Sequence, residues 1–223
     1  DWISAPVVDE NNILLGRITI DDVVDIIREQ AEHQALGAAG LDEDEDLFSP
    51  IRRAVRGRVV WLGVNLLTAF VAAFVIGRFE GTIQQVVALA VLMPIVAGIG
   101  GNAAVQVLTL MVRGLALGQV GASNAGILLW KELRVALING LLIGILVGAI
   151  ALLWFRDPLL SLVIAAALVI NFCSAALAGT LVPLLLKRMR IDPAVAGTVV
   201  VTAVTDVMGF FSFLGLATVV LLR

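Results

Sequence analysis

The sequence is poor in charged residues, which occupy only 15% of its 223 positions, whereas 60% of the positions are hydrophobic. Soluble domains usually carry about 25% charged residues and fewer apolar ones. This composition excludes an ordinary soluble domain. It indicates an integral membrane protein.

Cysteine and histidine, which often act as nucleophiles, bases or metal ligands, are also scarce, because the chain has one of each. Cys173 alone cannot form an intrachain disulfide or a thiolate metal cluster, and we interpret it as a small core residue. No set of nucleophile, base and orienting group is recognisable, and no phosphate-binding loop is present. The sequence predicts that the protein is not an enzyme, and nothing in it indicates a nucleic-acid partner.

Charge is unevenly distributed along the chain. Residues 1–50 contain thirteen carboxylates and two bases, whereas residues 51–223 contain thirteen bases and five carboxylates. An acidic head therefore precedes a membrane body with basic edges. Position 1 is Asp rather than Met, and no basic stretch with a small-residue cleavage site follows. We expect no signal peptide and a chain that begins within a longer protein.

The head has the pattern of a small α/β unit. Residues 5–8 and 14–20 are predicted strands, and residues 22–34 are a predicted helix with Thr19 or Asp21 as its cap. This piece is too short to bury a sufficient core alone.

Five apolar segments follow, each about as long as the 20 residues that span a bilayer. They are residues 59–77, 83–112, 133–155, 159–186 and 194–222. We therefore predict an all-α membrane domain of five transmembrane helices over residues 58–223. An acidic linker and a juxtamembrane connecting helix over residues 36–57 would join it to the head at residues 1–35.

Arginine and lysine cluster before the first segment, between the second and third, and between the fourth and fifth. By the positive-inside rule these parts and the head are cytoplasmic, and the C-terminus is outside the plasma membrane. Residues 115–130 are mildly apolar and contain several glycines, which predicts a helix lying along the cytoplasmic interface.

Asp206 is the only carboxylate inside any of these long apolar segments, and the run from Ala194 to Leu222 is otherwise uncharged. A carboxylate at the centre of a membrane helix costs roughly 2.5 to 3.5 kcal/mol on insertion scales, so it usually faces water, a partner or an ion. The alternative is a neutral aspartic acid that hydrogen-bonds a neighbouring helix.

Polar or small residues form a stripe in two of the segments. In the second segment, Pro94 and three nearby glycines are expected to interrupt the helix and free backbone carbonyls. One face there would carry Gly98, Gly101, Asn102, Val105 and Thr109. The stripe of the fifth segment comprises Thr198, Thr202, Thr205, Asp206, Gly209 and Ser212. Two such stripes indicate a pore wall, although helix packing would also explain the glycines.

Oxygen ligands and a single carboxylate suit a hydrated divalent cation, because Mg²⁺ keeps much of its water when it binds. One carboxylate per chain supplies little negative charge for binding a divalent cation. A symmetric dimer would place two Asp206 side chains about one axis, and they would repel one another without a cation.

Several motifs in this order resemble the MgtE family of magnesium channels. APVVDENNILLGRITIDDVVDII resembles the closing half of a CBS motif, and an acidic run at residues 42–46 follows it. PIVAGIGGN with Gln106 lies in the second segment, and IDPAVAGTVVVTAVTDVMGF lies in the last. The resemblance covers essentially the whole chain.

This resemblance implies a homodimer in the lipid membrane, with a pore at the dimer axis that is lined by the second and fifth segments. It implies a hydrated Mg²⁺ at Asp206, with contributions from the carbonyls of Gly98 and Gly101. Further candidate ion ligands are Asn102, Thr109, Thr198 and Thr202, with Asp192 near the cytoplasmic mouth. Regulatory Mg²⁺ is implied at the acidic head, where the candidates are Glu29, Glu32, Asp42 and Asp44.

The chain departs from the family pattern at two positions. Val105 and Thr198 stand where family members often carry asparagine. The choice among Mg²⁺, Mn²⁺, Co²⁺ and Ca²⁺ is therefore open. The leading hypothesis is a channel for passive Mg²⁺ uptake, gated by intracellular Mg²⁺. The alternatives are a transporter coupled to protons or other cations, with broader preference, and a membrane sensor that does not transport.

Overall fold

The computed structural model describes residues 3–41, 48, 50–121 and 123–222. Two strands, β1 (Ser4–Val8) and β2 (Leu14–Thr19), come first. The helices are α1 (Ile20–Ala38), α2 (Ile51–Gly77), α3 (Glu80–Gln85), α4 (Ala88–Ala116), α5 (Ala125–Phe155), α6 (Pro158–Arg188) and α7 (Pro193–Leu221). Five of them, α2 and α4 to α7, are long and apolar enough to cross a membrane. The predicted five-helix membrane architecture is confirmed.

The head has the predicted two strands followed by a helix, and the strands pair antiparallel with Ser4 opposite Thr19. Thr19 is the N-cap residue of α1. Its backbone N–H and its hydroxyl both donate to the carboxylate of Asp22, each at 2.7 Å. The backbone hydrogen bond and then the hydroxyl hold the pKa of Asp22 below its ordinary value.

The apolar face of α1 is not covered by the residues that the structure describes. Val23, Val24, Ile26 and Ile27 are all exposed. This agrees with the expectation that so short a piece cannot bury a core by itself. The acidic run at residues 42–46, which includes the candidates Asp42 and Asp44, lies outside the described residues. The predicted boundary at residues 57/58 falls inside α2, which begins at Ile51.

Helix α6 is the centre of the membrane domain, where it packs against α4, α5 and α7. Three glycines of α5 let its backbone approach α6 closely. A Cβ added at Gly144 would lie 2.9 Å from the backbone oxygen of Ala165, and one added at Gly148 would lie 3.1 Å from that of Ser161. Gly140 approaches α6 in the same way. Small residues let membrane helices approach closely, which explains this stripe.

The predicted interfacial helix at residues 115–130 is wrong. Helix α4 ends at Ala116 and α5 begins at Ala125, and the described residues between them form turns. Gly118 has a φ of 67°, and the N–H of Gln119 bonds back to the carbonyl of Gly114 at 2.8 Å. Asn124 closes the turn, because its amide donates to the carbonyl of Gln119 at 2.7 Å. A left-handed glycine and a side-chain clamp end one helix and start the next.

The expected interruption of the second membrane segment is also wrong. Helix α4 runs unbroken from Ala88 to Ala116 with Pro94 inside it. Its glycines instead allow neighbouring helices to pack closely, since Gly100 lies against the side chain of Asn171 and Gly101 faces Thr202. Packing of neighbouring helices keeps the backbone helical where a proline and several glycines would weaken an isolated helix.

Candidate site between helices α4 and α7

Helices α4 and α7 pack side by side in opposite directions, and their glycine contacts establish the register. A Cβ added at Gly197 of α7 would lie 2.8 Å from Leu108 of α4. One added at Gly101 of α4 would lie 3.8 Å from Thr202, and one added at Gly209 of α7 would lie 3.2 Å from Val96. Position 206 lies between Thr202 and Gly209. Asp206 is therefore at the depth of the α4 stretch between Val96 and Gly101, which contains Gly98.

The carboxylate of Asp206 is half-buried and makes no hydrogen bond or ion pair with the residues that the structure describes. The structural alternative, a hydrogen bond to a neighbouring helix, is therefore not made within the described part of the chain. A charged group at this depth is costly unless water, a counter-charge or an ion meets it. Asp206 thus has free acceptor capacity on a partly open face.

The predicted face of α4 is open. Gly98, Asn102 and Thr109 are exposed, and no atom lies within 4 Å of a Cβ added at Gly98. The hydroxyl of Thr109 donates to the carbonyl of Val105 at 2.8 Å, which leaves its oxygen lone pairs outward. In a continuous helix the carbonyls of Gly98 and Gly101 accept ordinary backbone hydrogen bonds. Each retains a second lone pair for a water or an ion.

The predicted stripe on α7 divides into two faces, so its assignment to one pore wall is wrong. Thr205, Gly209 and Ser212 are buried. The hydroxyl of Thr205 donates to the carbonyl of Val201 at 3.1 Å, and that of Ser212 donates to Gly209 at 3.1 Å. Their hydroxyls are satisfied within α7, and these three residues serve packing.

Thr198, Thr202 and Asp206 form the remaining half-buried face of α7. The hydroxyl of Thr202 donates to the carbonyl of Thr198 at 2.8 Å. A cavity of about 150 Å³ near the start of α7 brings Thr198 together with Thr109 of α4. Arg113 also lines this cavity, so its walls carry positive charge as well as hydroxyl oxygens.

Asp192 caps the start of α7. Its carboxylate accepts the N–H of Ala194 at 2.8 Å, and Pro193 occupies the first helical turn. The side chain is exposed at the end of the α4–α7 pair. Its capping role explains its position without any ion.

Sequence reasoning missed a second carboxylate within a membrane helix. Glu132 lies in α5 because that helix begins at Ala125, eight residues before the predicted segment. It is buried, and its Oε1 lies 3.3 Å from Nζ of the exposed Lys131. It lines a cavity of about 120 Å³ together with Gln106 and Asn139. The helix-start signal at Asn124 could have revealed it.

The regulatory candidates Glu29 and Glu32 are exposed on α1. The end of α1 reaches the start of α7, because a Cβ added at Gly37 would lie 3.0 Å from the side chain of Val195. Over residues 3–41, 48, 50–121 and 123–222, no group of three or more histidine, cysteine or acidic residues could hold a metal ion. Each candidate ion site in this part of the chain therefore has few charged ligands.

Residues 93–216, which include Asp206 and the open face of α4, match the MgtE family, described as a divalent cation transporter. The chain is also similar to three proteins named "Magnesium transporter MgtE". The one from Bacillus subtilis is 30% identical over 220 residues, which cover 98% of this chain and 48% of that protein. The one from Enterococcus faecalis is 31% identical over 217 residues, which cover 97% and 48%.

The third relative, from Thermus thermophilus, is 33% identical over 225 residues, which cover 99% of this chain and 49% of that protein. The chain therefore spans about half the length of the curated relatives it matches.

Proposed function

Because the chain belongs to the MgtE family of divalent cation transporters, we propose that it conducts Mg²⁺ passively across the plasma membrane. The path would run along the open faces of α4 and α7. The unpaired, half-buried carboxylate of Asp206 is the observation that carries this proposal. Mg²⁺ prefers oxygen ligands and gives up its water reluctantly, so one carboxylate can hold it through retained waters.

The other ligands would act mainly through those waters. Gly98 lies at the depth of Asp206, and its open surroundings leave room for a hydrated ion. Asn102 and the carbonyl of Gly101 follow on α4, and Thr202, Thr198 and Thr109 continue the path toward Asp192. Similar relatives carry the name of magnesium transporters, which favours Mg²⁺ as the principal ion.

A homodimer would complete the site. Each chain offers one carboxylate on a face that the described residues leave partly open. A two-fold axis beside Asp206 would bring two carboxylates to one hydrated ion and double the negative charge. The same axis would cover the polar faces of α4 and α7 from lipid, which polar groups in a membrane require.

Regulation would come from the head, which we place in the cytoplasm. Mg²⁺ at Glu29 and Glu32, with Asp42 and Asp44, would hold α1 in place. The contact between Gly37 and Val195 would transmit the position of α1 to the start of α7. In liposomes, Mg²⁺ on the head side should slow uptake. Inhibition that is equally strong after the combined changes Glu29→Gln and Glu32→Gln would contradict this part.

The proposal of passive conduction is tested by uptake into liposomes that contain a Mg²⁺-sensitive dye. Uptake is expected to follow the Mg²⁺ gradient and the membrane voltage, and to be unchanged when a pH gradient is imposed. Protein-free liposomes are the control. Mg²⁺ accumulation driven by the pH gradient would instead support a proton-coupled transporter. Failure of folded protein to pass Mg²⁺, Mn²⁺ or Co²⁺ would support a sensor.

A further inference from the structure

Asn171 is a fully buried amide in the middle of α6, surrounded by apolar residues of the membrane domain. Its Nδ2 donates to the backbone carbonyl of Val96 in α4 at 2.9 Å. That bond identifies which side-chain atom is the nitrogen. Its Oδ1 is buried with no hydrogen-bond partner among the residues that the structure describes. Such a group is costly, so a role in packing alone would favour an apolar side chain here.

The amide of Asn171 sits between two glycines that belong to different helices. A Cβ added at Gly100 of α4 would overlap Nδ2. A Cβ added at Gly209 of α7 would come within 2.7 Å of the same nitrogen. No other residue type could stand at either glycine without displacing the amide. One side chain of α6 therefore fills the gap where α4 and α7 meet.

This junction lies directly behind the candidate ion site. Gly209 follows Asp206 by three residues on α7, and Gly100 follows Gly98 by two residues on α4. Because Gly209 and Asp206 lie within one helical turn, a shift of α7 at one moves the other. The hydrogen bond to Val96 fixes α4 at the same depth.

We infer that Asn171 is a positioning residue of the cation path, which sets the spacing of α4 and α7 at the depth of Asp206. It thereby determines which hydrated ion fits beside the carboxylate. Asn171 itself does not touch the ion. The inference rests on the proposed function, because it assigns a role in ion selection to a side chain behind the path.

The decisive variant is Asn171→Leu, whose side chain has the same number and branching of heavy atoms but cannot donate to Val96. Uptake of Mg²⁺ and of Ca²⁺ is measured separately in liposomes and normalised to folded protein. We expect the ratio of Mg²⁺ to Ca²⁺ uptake to change by about fivefold, the factor that one hydrogen bond is typically worth. The half-saturating Mg²⁺ concentration should rise as well.

Thr180→Val is the matched control. Thr180 is also fully buried on α6, and its hydroxyl also has no hydrogen-bond partner among the described residues. It lies nine residues from Asn171 and therefore on the opposite side of the helix. Its replacement should leave the Mg²⁺ to Ca²⁺ ratio unchanged. An equal change in both variants, or no change in Asn171→Leu, would overturn the inference.

A second comparison keeps the test decisive if Asn171→Leu does not fold. Gly100→Ala alone should lower the melting temperature, because the new methyl group overlaps the amide. Combining it with Asn171→Ala should restore much of the loss, since the methyl group then enters vacated space. The double variant should fold and still show the altered ion ratio. Additive losses in melting temperature would overturn the proposed placement of Asn171.

Failure of this inference is distinguishable from failure of the proposed function. If the unaltered protein passes no divalent cation, the proposed function is wrong. If it passes Mg²⁺ with the same ion ratio and half-saturation as folded Asn171 variants, only the positioning role is wrong.

Discussion

Asp206→Asn is expected to lower Mg²⁺ uptake by about 100-fold, because removal of a charged partner from a desolvated site costs about 3 kcal/mol. The amide keeps the shape of the side chain and one oxygen, but it supplies no charge. In the proposed dimer a single substitution removes both carboxylates. Uptake into liposomes at matched protein content measures the effect.

Folding should survive this change. Asp206 makes no hydrogen bond or ion pair with the described residues, so asparagine breaks no contact that the structure shows. The elution profile in detergent should be unchanged, and the melting temperature without Mg²⁺ should be equal or higher. An uncompensated charge is removed from the membrane interior, which explains that direction.

Glu132→Gln is the matched control, since Glu132 is the other carboxylate within a described membrane helix. It lines a separate cavity behind α4 and lies beside Lys131. Its replacement should leave Mg²⁺ uptake within about twofold, the effect of a weak ion pair. Equal losses in both variants would show that general charge, and not the site at Asp206, supports transport. Normal uptake by Asp206→Asn would contradict the proposed ion path.

Gly144→Val is expected to abolish the yield of folded protein. The new Cβ would lie 2.9 Å from the backbone oxygen of Ala165, and a backbone atom cannot rotate away as a side chain can. The two additional methyl groups would press α5 further from α6, the central helix of the domain. Overpacking typically costs 1–3 kcal/mol, roughly, and more where the backbone must move. Size-exclusion elution and thermal unfolding in detergent measure the loss.

Gly63→Val provides the comparison for this prediction. Gly63 is also in a membrane-spanning helix, but no atom lies within 4 Å of its added Cβ. Valine has the same intrinsic helix propensity at both sites, so the difference isolates the contact with α6. Equal folded yields for the two variants would contradict the close packing of α5 on α6.

The sequence predicted the five membrane helices well, because apolar length alone determines whether a segment can span a bilayer. Their ends were less predictable. The turn after α4 depends on the left-handed φ of Gly118 and on the side chain of Asn124, which are local details of conformation. Glu132 was missed for the same reason, since the start of α5 was placed too late.

Asp206 could be singled out because an isolated charge in an apolar segment is costly wherever the helix lies. The residues that share its face of α7 could not be identified from the sequence. Helical periodicity gives angles about one axis, but it does not say where the next helix packs. Thr205 and Ser212 therefore looked like neighbours of Asp206, although both are buried within the subunit.

The contacts of Asn171 could not be predicted from the sequence either. Asn171 is a lone amide in an apolar run, so it is isolated in the same way as Asp206, but it carries no charge. Its two glycine neighbours are 71 and 38 residues away in sequence, on two other helices. Only the assembled helices bring Gly100 and Gly209 to either side of it.

The most direct measurement is the position of a bound ion in crystals of the protein grown with Mn²⁺, whose anomalous scattering locates it. We predict one peak on a two-fold axis between two Asp206 carboxylates, at the depth of Gly98, which excess Mg²⁺ removes. A peak confined to the cavity beside Glu132, or two Asp206 side chains far apart with no ion between them, would contradict it.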